Sequence, residues 1–370
     1  MSEESPVTRL RDALGPASFS NVRTPIGILL VVLLLRPVLQ LEFVLGGDYI
    51  ATSILIWMLF ASAYNLLLGY GGLLSFGHAM FMGAGSYGIA IGLAHFDLPF
   101  VVAGAIGVFV AAVLAYGIGQ LTVHRGEIYF AMLTLAFGMA AHFIVNANPF
   151  DLTGGADGIR AGAVPGWISS FRGQTLVTLW GIEFEFYLLI AFMFVIAMIA
   201  LWQIVRSPFG RTLVAIRDNE ELARSMGIAT HQYKVRAFTL SGAFSAIAGT
   251  MLVLNNSGAA LEDIAVLQSG NVLLMTIFGG MNYFFGPVMG AFSWFVARET
   301  LTTFEVLALP LTEFAIVSID VSGILTFWQF FFGLAFVILV LIAPEEGIYG
   351  FLRSQVVKLL ELARRRVDNE

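Results

Sequence analysis

Residues 207–227 read SPFGRTLVAIRDNEELARSMG. Six of these 21 residues are ionised, namely Arg211, Arg217, Asp218, Glu220, Glu221 and Arg224. Placing that many charges at the centre of a bilayer costs several kcal/mol or more, so the stretch belongs in water. Its local signals are nonetheless those of ordered helix. Ser207 followed by Pro208 fits an N-cap with proline at the first helical position. Asp218 with Glu221 three residues later has the spacing of a capping box, Asp standing in for Ser or Thr. Gly227 stands where a helix stop belongs. The pattern predicts two short helices meeting near Asp218 and Asn219. Leu213 and Ile216 form one small apolar face, and Leu222 and Met226 the other.

Outward from this island the chain is greasy. Of its 370 residues 58% are apolar and only 12% charged, and the mean hydropathy is +0.86. A soluble domain carries about 25% charge, so the composition is that of a polytopic membrane protein. There is no cysteine, which removes disulfides, thiolate chemistry and cysteine-based metal sites. With 19 Lys and Arg, mostly at the edges of apolar runs, nucleic acid is not an expected partner. The first twenty residues are polar and mixed in charge. They lack the basic region and apolar core of a cleavable signal, so the run beginning near Pro25 is expected to be a retained span.

A core of about 30 Å needs roughly 20 apolar residues per helix. Runs of that kind fall at about 25–41, 50–69, 73–94, 98–121, 127–147, 183–205, 233–255, 268–281, 286–306 and 325–343. The predicted fold is therefore all-α: a transmembrane helical bundle of about ten spans. A polar N-terminal segment (1–24) precedes a transmembrane domain (25–343), and a polar tail (344–370) follows it. With the N-terminus inside, fifteen of the nineteen basic residues fall on the inner side. The positive-inside rule then puts both termini and the loop 206–232 in the cytoplasm, and the Gly-rich loop near 149–181 outside. The expected location is the plasma membrane.

No Gly-x-x-x-x-Gly-Lys-Ser/Thr loop occurs, and the two lysines, Lys234 and Lys358, follow no glycine-rich loop. The chain is thus not expected to bind ATP by a P-loop or to be an enzyme. Ion-driven transporters bury carboxylates in mid-membrane; spans two to eight carry none away from their ends. Arg298–Glu299, within the ninth span, is the exception. The pair either faces a pathway or marks the end of the span at the interface. Asn65, Ser75, His78, Asn271 and Thr276, with Glu299, are candidate pathway-lining groups. For each of the uncharged groups, hydrogen bonding between helices is the plainer alternative. The five histidines lie in separate segments without ligand spacing, so no metal site is expected. The stretches 71–84 and 279–291 look alike, GGLLSFGHAMFMGA and GGMNYFFGPVMGA. They are read as two glycine-rich packing hairpins.

Four stretches resemble the permease subunits of ABC importers for branched-chain amino acids: 64–88 (YNLLLGYGGLLSFGHAMFMGAGSYG), 125–143 with 152–159, 207–251, and 278–291. The third is the most specific. The resemblance implies a second, similar permease, two cytoplasmic ATPase subunits that bind the ATP, and an extracytoplasmic solute-binding protein. It implies that the island carries coupling helices docking on an ATPase through Arg217, Asp218, Asn219, Glu220, Glu221, Ala223 and Gly227. Branched-chain amino acids are the family default; urea, short amides and other small organic solutes are the alternative cargo. A stand-alone secondary transporter or facilitator is the competing class. Residues 300–324 are longer and more irregular than the resemblance leads one to expect.

Overall fold

The computed structural model describes residues 16–39, 48–159, 175–179, 182–303, 306–312, 315–320, 328–342, 346–352 and 354–355. The polar lead before residue 16 and the tail beyond 355 lie outside them. Helices occupy all ten expected places. They are α1 (Pro16–Leu39), α2 (Asp48–Asn65), α3 (Ala79–Phe96), α4 (Phe100–Thr122), α5 (Glu127–Ala147) and α6 (Phe186–Arg206). After two short helices, α7 (Pro208–Asp218) and α8 (Glu220–Ser225), come α9 (Thr230–Asn256), α10 (Val266–Gly279), α11 (Gly286–Thr303) and α12 (Trp328–Ile342). Among the described residues, six helical segments are long and apolar enough to cross a membrane: Ile50–Tyr70, α3, α4, α5, α6 and α9. Two antiparallel hairpins join the helical bundle, β1 (Thr175–Leu179) with β2 (Ile182–Glu185) and β3 (Val306–Thr312) with β4 (Ala315–Asp320). They fall in the connections between α5 and α6 and between α11 and α12.

Helices α2 and α9 form the inner pair and pack on one another; α9 also packs on α3 and α4, and α2 on α6, α10 and α11. Their side chains, such as Ile54, Phe60, Phe238 and Met251, are fully buried. Helices α4 and α5 instead turn large apolar groups outward, among them Phe109, Val113, Ile128 and Phe143, as a lipid-facing surface would. The buried face of α4 is a stripe of small residues four apart, Ala103, Gly107, Ala111, Ala115 and Gly119. Small residues at this spacing bring backbones together where apolar transfer gives no drive. Gly107 meets Gly88 of α3, and Ala115 meets Gly242 of α9.

The third span does not begin at 73. The end of α2 relaxes into a π-helical turn, Leu66–Tyr70. Gly72 takes a left-handed φ of 68°, and α3 starts only at Ala79. The backbone between is inside the protein, and side chains satisfy it. The Tyr64 hydroxyl donates to Ser75 O at 3.0 Å and accepts the Ser75 N–H at 3.3 Å. The Phe76 N–H donates to Thr134 Oγ1 at 3.3 Å, and the Ala79 N–H to Ser269 Oγ at 2.8 Å. Non-helical backbone at membrane depth survives only with such partners. The related stretch 279–291 makes a second close turn, where Gly279, Gly286 and Gly290 sit against neighbouring backbone with no room for a Cβ. Both glycine-rich stretches are therefore packing devices.

Candidate functional site

The island is the two-helix element expected, with its caps placed differently. Pro208 is the first residue of α7, but the Ser207 hydroxyl donates to Ile204 O at 2.6 Å and does not cap the helix. Asp218 closes α7; the cap of α8 is Asn219, extended at φ −157°, whose Oδ1 accepts the Leu222 N–H at 2.9 Å. Amide and carboxylate caps compete closely on spacing, and Asn219 wins because α7 keeps Asp218 helical. Gly227 stops α8 with φ 84°. Its N–H donates to Arg224 O, and that of Ile228 to Ala223 O, the paired bonds of a Schellman ending.

The two apolar faces have different fates. Leu213 and Ile216 are buried against the bundle, and so is Ala223. Leu222 and Met226 are 56% and 64% exposed. Arg217 reaches inward: one guanidinium nitrogen donates to Gly69 O and, at 3.1 Å, to Asn282 Oδ1, while Nε and the other nitrogen face Asp218. It thereby ties α7 to both backbone breaks, the π turn after α2 and the turn before α11. Glu220 also points inward. It meets Lys234 Nζ at 2.6 Å, Thr230 Oγ1 at 3.0 Å and Arg224 at 3.0 Å. Burial pushes its pKa up, but Lys234, with Thr230 and Arg224, outweighs that and holds it below the ordinary carboxylate value. Of the seven candidate docking residues, Arg217, Asp218, Asn219, Glu221 and Gly227 are exposed, as are Leu222 and Met226, while Glu220 is half-buried and Ala223 buried.

A cavity of about 680 Å³ lies at the far end of the bundle. Helix α2 fixes this polarity, because Ile50, Ser53 and Trp57 at its start line the cavity while Gly69 at its end meets Arg217. At 1.5 Å per residue the two places are about 25 Å apart. Asn256, Asp263, Gln268, Asn271, Arg298 and Glu299 form the polar wall, and Trp57, Met82, Leu252, Trp294 and Phe295 the apolar one. Thr52, Ser53 and Asn255 clamp the start of α2 to the end of α9 through bonds of 2.6 and 2.9 Å. The Gly-rich loop closes on the same region, since Ile159 and Ala259 exchange backbone bonds of 2.9 and 3.1 Å. Asp263 is only 7% exposed, and its Oδ2 accepts the Ala260 N–H at 3.0 Å. Burial pushes its pKa up to about 6, against the Ala260 N–H and the Ser86 hydroxyl.

Two of the pathway candidates, Asn271 and Glu299, are on this wall. The others lie within helix packing. His78 is enclosed by Phe60, Tyr64, Phe81 and Phe238, with Nε2 2.9 Å from Ser241 Oγ. Ser241 donates to Ala63 O at 2.6 Å, so its oxygen accepts from the imidazole N–H. Thr276 bonds Val272 O at 2.8 Å, Asn65 bonds Tyr283 O at 3.4 Å, and Ser75 belongs to the buried break. The reading of the residues missed Asp263, Gln268 and Asn256. They sit at helix ends, where polar groups look like ordinary loop residues. Among the described residues no cluster of His, Asp and Glu could hold a metal.

A sequence model of the branched-chain amino acid transport system permease component matches residues 47–341. The chain belongs to this permease family. Relatives include the high-affinity branched-chain amino acid transport system permease protein LivM of Escherichia coli K12, 27% identical over 281 residues, covering 70% of this chain and 64% of that protein. LivM of Salmonella typhimurium LT2 is 26% identical over the same shares. The autoinducer 2 import system permease protein LsrC of Shigella flexneri is 33% identical over 105 residues, 26% of this chain and 29% of that one. The match thus spans a little under two thirds of the LivM proteins' length. No solved structure matches the chain. In this permease the matched region contains both the island and the cavity.

Proposed function

We propose that this permease is the membrane-spanning subunit of an ATP-driven importer for branched-chain amino acids. It sits in the plasma membrane with both termini cytoplasmic, beside a second, similar permease. Two cytoplasmic ATPase subunits bind the ATP, and an extracytoplasmic protein delivers the solute. The observation that carries this reading is the ordered two-helix element. It presents Leu222 and Met226 among charges on its open side and is fastened through Arg217 and Glu220 to the bundle on its inner side. An exposed apolar pair inside a polar rim has the make-up of a docking surface. The rigid attachment is what a transmitted push requires. ATPase closure acts on the element, and only a difference in contact between open and closed states can shift the bundle.

The experiment is reconstitution of the chain with its permease partner, ATPases and binding protein in liposomes. Leucine uptake should require ATP. Leu222→Glu with Met226→Glu should abolish uptake and solute-stimulated hydrolysis while the chain still inserts. Uptake of leucine by this chain alone, without ATP, would refute the importer in favour of a facilitator.

A further inference from the structure

The cavity opposite the island holds both signs of charge, several amides and an aromatic wall within one enclosure. A volume of about 680 Å³ is in the range of small-molecule sites, which combine apolar walls with a few placed polar groups. Asp263 contributes a carboxylate from a turn fixed at both ends, by the Ala260 N–H on one side and the start of α10 on the other. Arg298 contributes a guanidinium from α11 to the same lining. Gln268 and Asn271 are held in place by their mutual bond of 2.9 Å.

We propose that this cavity binds a small zwitterion with an apolar side chain: Asp263 receives the ammonium group, Arg298 the carboxylate, and the Trp57–Trp294 wall the side chain. The assignment rests on the importer reading above and adds the site within this subunit. Charge-assisted bonds are about twice as strong as neutral ones, and a guanidinium matches a carboxylate in two parallel bonds. A buried carboxylate also gains most from an incoming cation, which replaces the water that it has lost. The raised pKa of Asp263, about 6, reflects the charge deficit that such a ligand fills. A purely anionic solute would set a second negative charge against the Asp263 carboxylate, which a zwitterion avoids by bringing its own ammonium group.

The test is equilibrium binding of radiolabelled L-leucine to the full chain in lipid nanodiscs. The wild type should bind saturably. Asp263→Asn and Arg298→Gln should each weaken leucine by about ten- to a hundredfold, as expected for a lost charged hydrogen bond. Arg236→Gln, on the exposed surface of α9, should leave binding unchanged. 4-Methylpentanoate, which lacks the ammonium group, should compete weakly, and Asp263→Asn should not weaken it further. Arg298 is exposed on α11, so Arg298→Gln stays informative if Asp263→Asn folds poorly. Wild-type-like leucine binding by Arg298→Gln, or no saturable binding by the wild type at millimolar leucine, overturns the site. In the reconstituted complex, ATP-dependent leucine uptake with the same maximal rate in the wild type and both variants also overturns the site while leaving the importer intact. Leucine uptake that needs no ATP but still weakens in both variants sinks the importer and leaves the site.

Discussion

Removing the Glu220 carboxylate should loosen the island without unfolding the bundle. Lys234 is the reason. Its side chain is 9% exposed and Glu220 Oε2 lies 2.6 Å from its ammonium, with the Glu220 side chain 35% exposed. Breaking a fully buried pair from one side costs roughly 3–5 kcal/mol, because the other charge is stranded. The solvent reaching Glu220 screens part of that, so Glu220→Ala should cost about 1–3 kcal/mol. Lys234→Met removes the stranded charge, so the double variant should recover roughly 1–2 kcal/mol relative to the sum of the singles. Hydrogen exchange by mass spectrometry, on the purified chain in detergent, reads this locally. Amides of 220–230 should exchange about five- to a hundredfold faster in Glu220→Ala, while those of 240–255 stay protected. The sign with pH follows from the lowered pKa of Glu220. Its stabilisation is present above the unfolded carboxylate value, about 4.5, and is lost as pH falls through the lower folded value. Unchanged protection in Glu220→Ala, or strict additivity in the double variant, would refute the reasoning.

Other outcomes follow from the same geometry. Arg217→Lys keeps the charge but cannot reach Gly69 O, Asn282 and Asp218 together; the assembled complex should hydrolyse ATP while solute uptake falls, and unaltered uptake per ATP would contradict the linking role. Gly249→Ala would drive a Cβ into the Met82 carbonyl, whereas Gly117→Ala meets nothing within 4 Å. The first should lose monodisperse protein on gel filtration and the second should behave as wild type. Asp263 has a pKa raised from 3.8 to about 6, so its stability contribution is full below the unfolded value and is lost as pH rises through the folded one. Asp263→Asn should therefore unfold at a higher temperature than the wild type above pH 6, and at a similar one near pH 4. Glu262 and Tyr87 are the groups that interact with Asp263, and Arg298 and Glu299 share the cavity lining with it.

The long runs of apolar residues made the helices legible, because a bilayer imposes length and composition together. α5 begins and ends at Glu127 and Ala147, the bounds read from sequence. Where the boundary failed, at residues 73–78, the cause is specific. Gly72, Leu73, Leu74 and Phe76 are as apolar as a helix would be, and hydropathy does not register a backbone that leaves the helix. The partners that permit it, Thr134 and Ser269, are 58 and 190 residues from the atoms they satisfy. The island was legible as paired helices because its caps are local. Which side each charge faces was not, because Lys234 and Gly69 come from elsewhere in the chain. The cavity was partly legible: Asn271 and Glu299 stood out inside apolar runs, while Asp263 sits in a short turn between two of them.

The buried break between α2 and α3 also sets an order of assembly. The chain leaves the ribosome from its N-terminus, so the amides of Phe76 and Ala79 enter the membrane before the hydroxyls that accept them exist there. Thr134 arrives with α5, and Ser269 only with α10. Until then those amides are orphans in hydrocarbon, each at a cost of several kcal/mol. The early helices must therefore wait in a wetter or chaperoned place, such as the insertion machinery, or adopt a provisional continuous helix that breaks late. A nascent chain released before residue 269 lacks the group that completes its third span, which gives quality control a molecular mark by which to recognise unfinished protein.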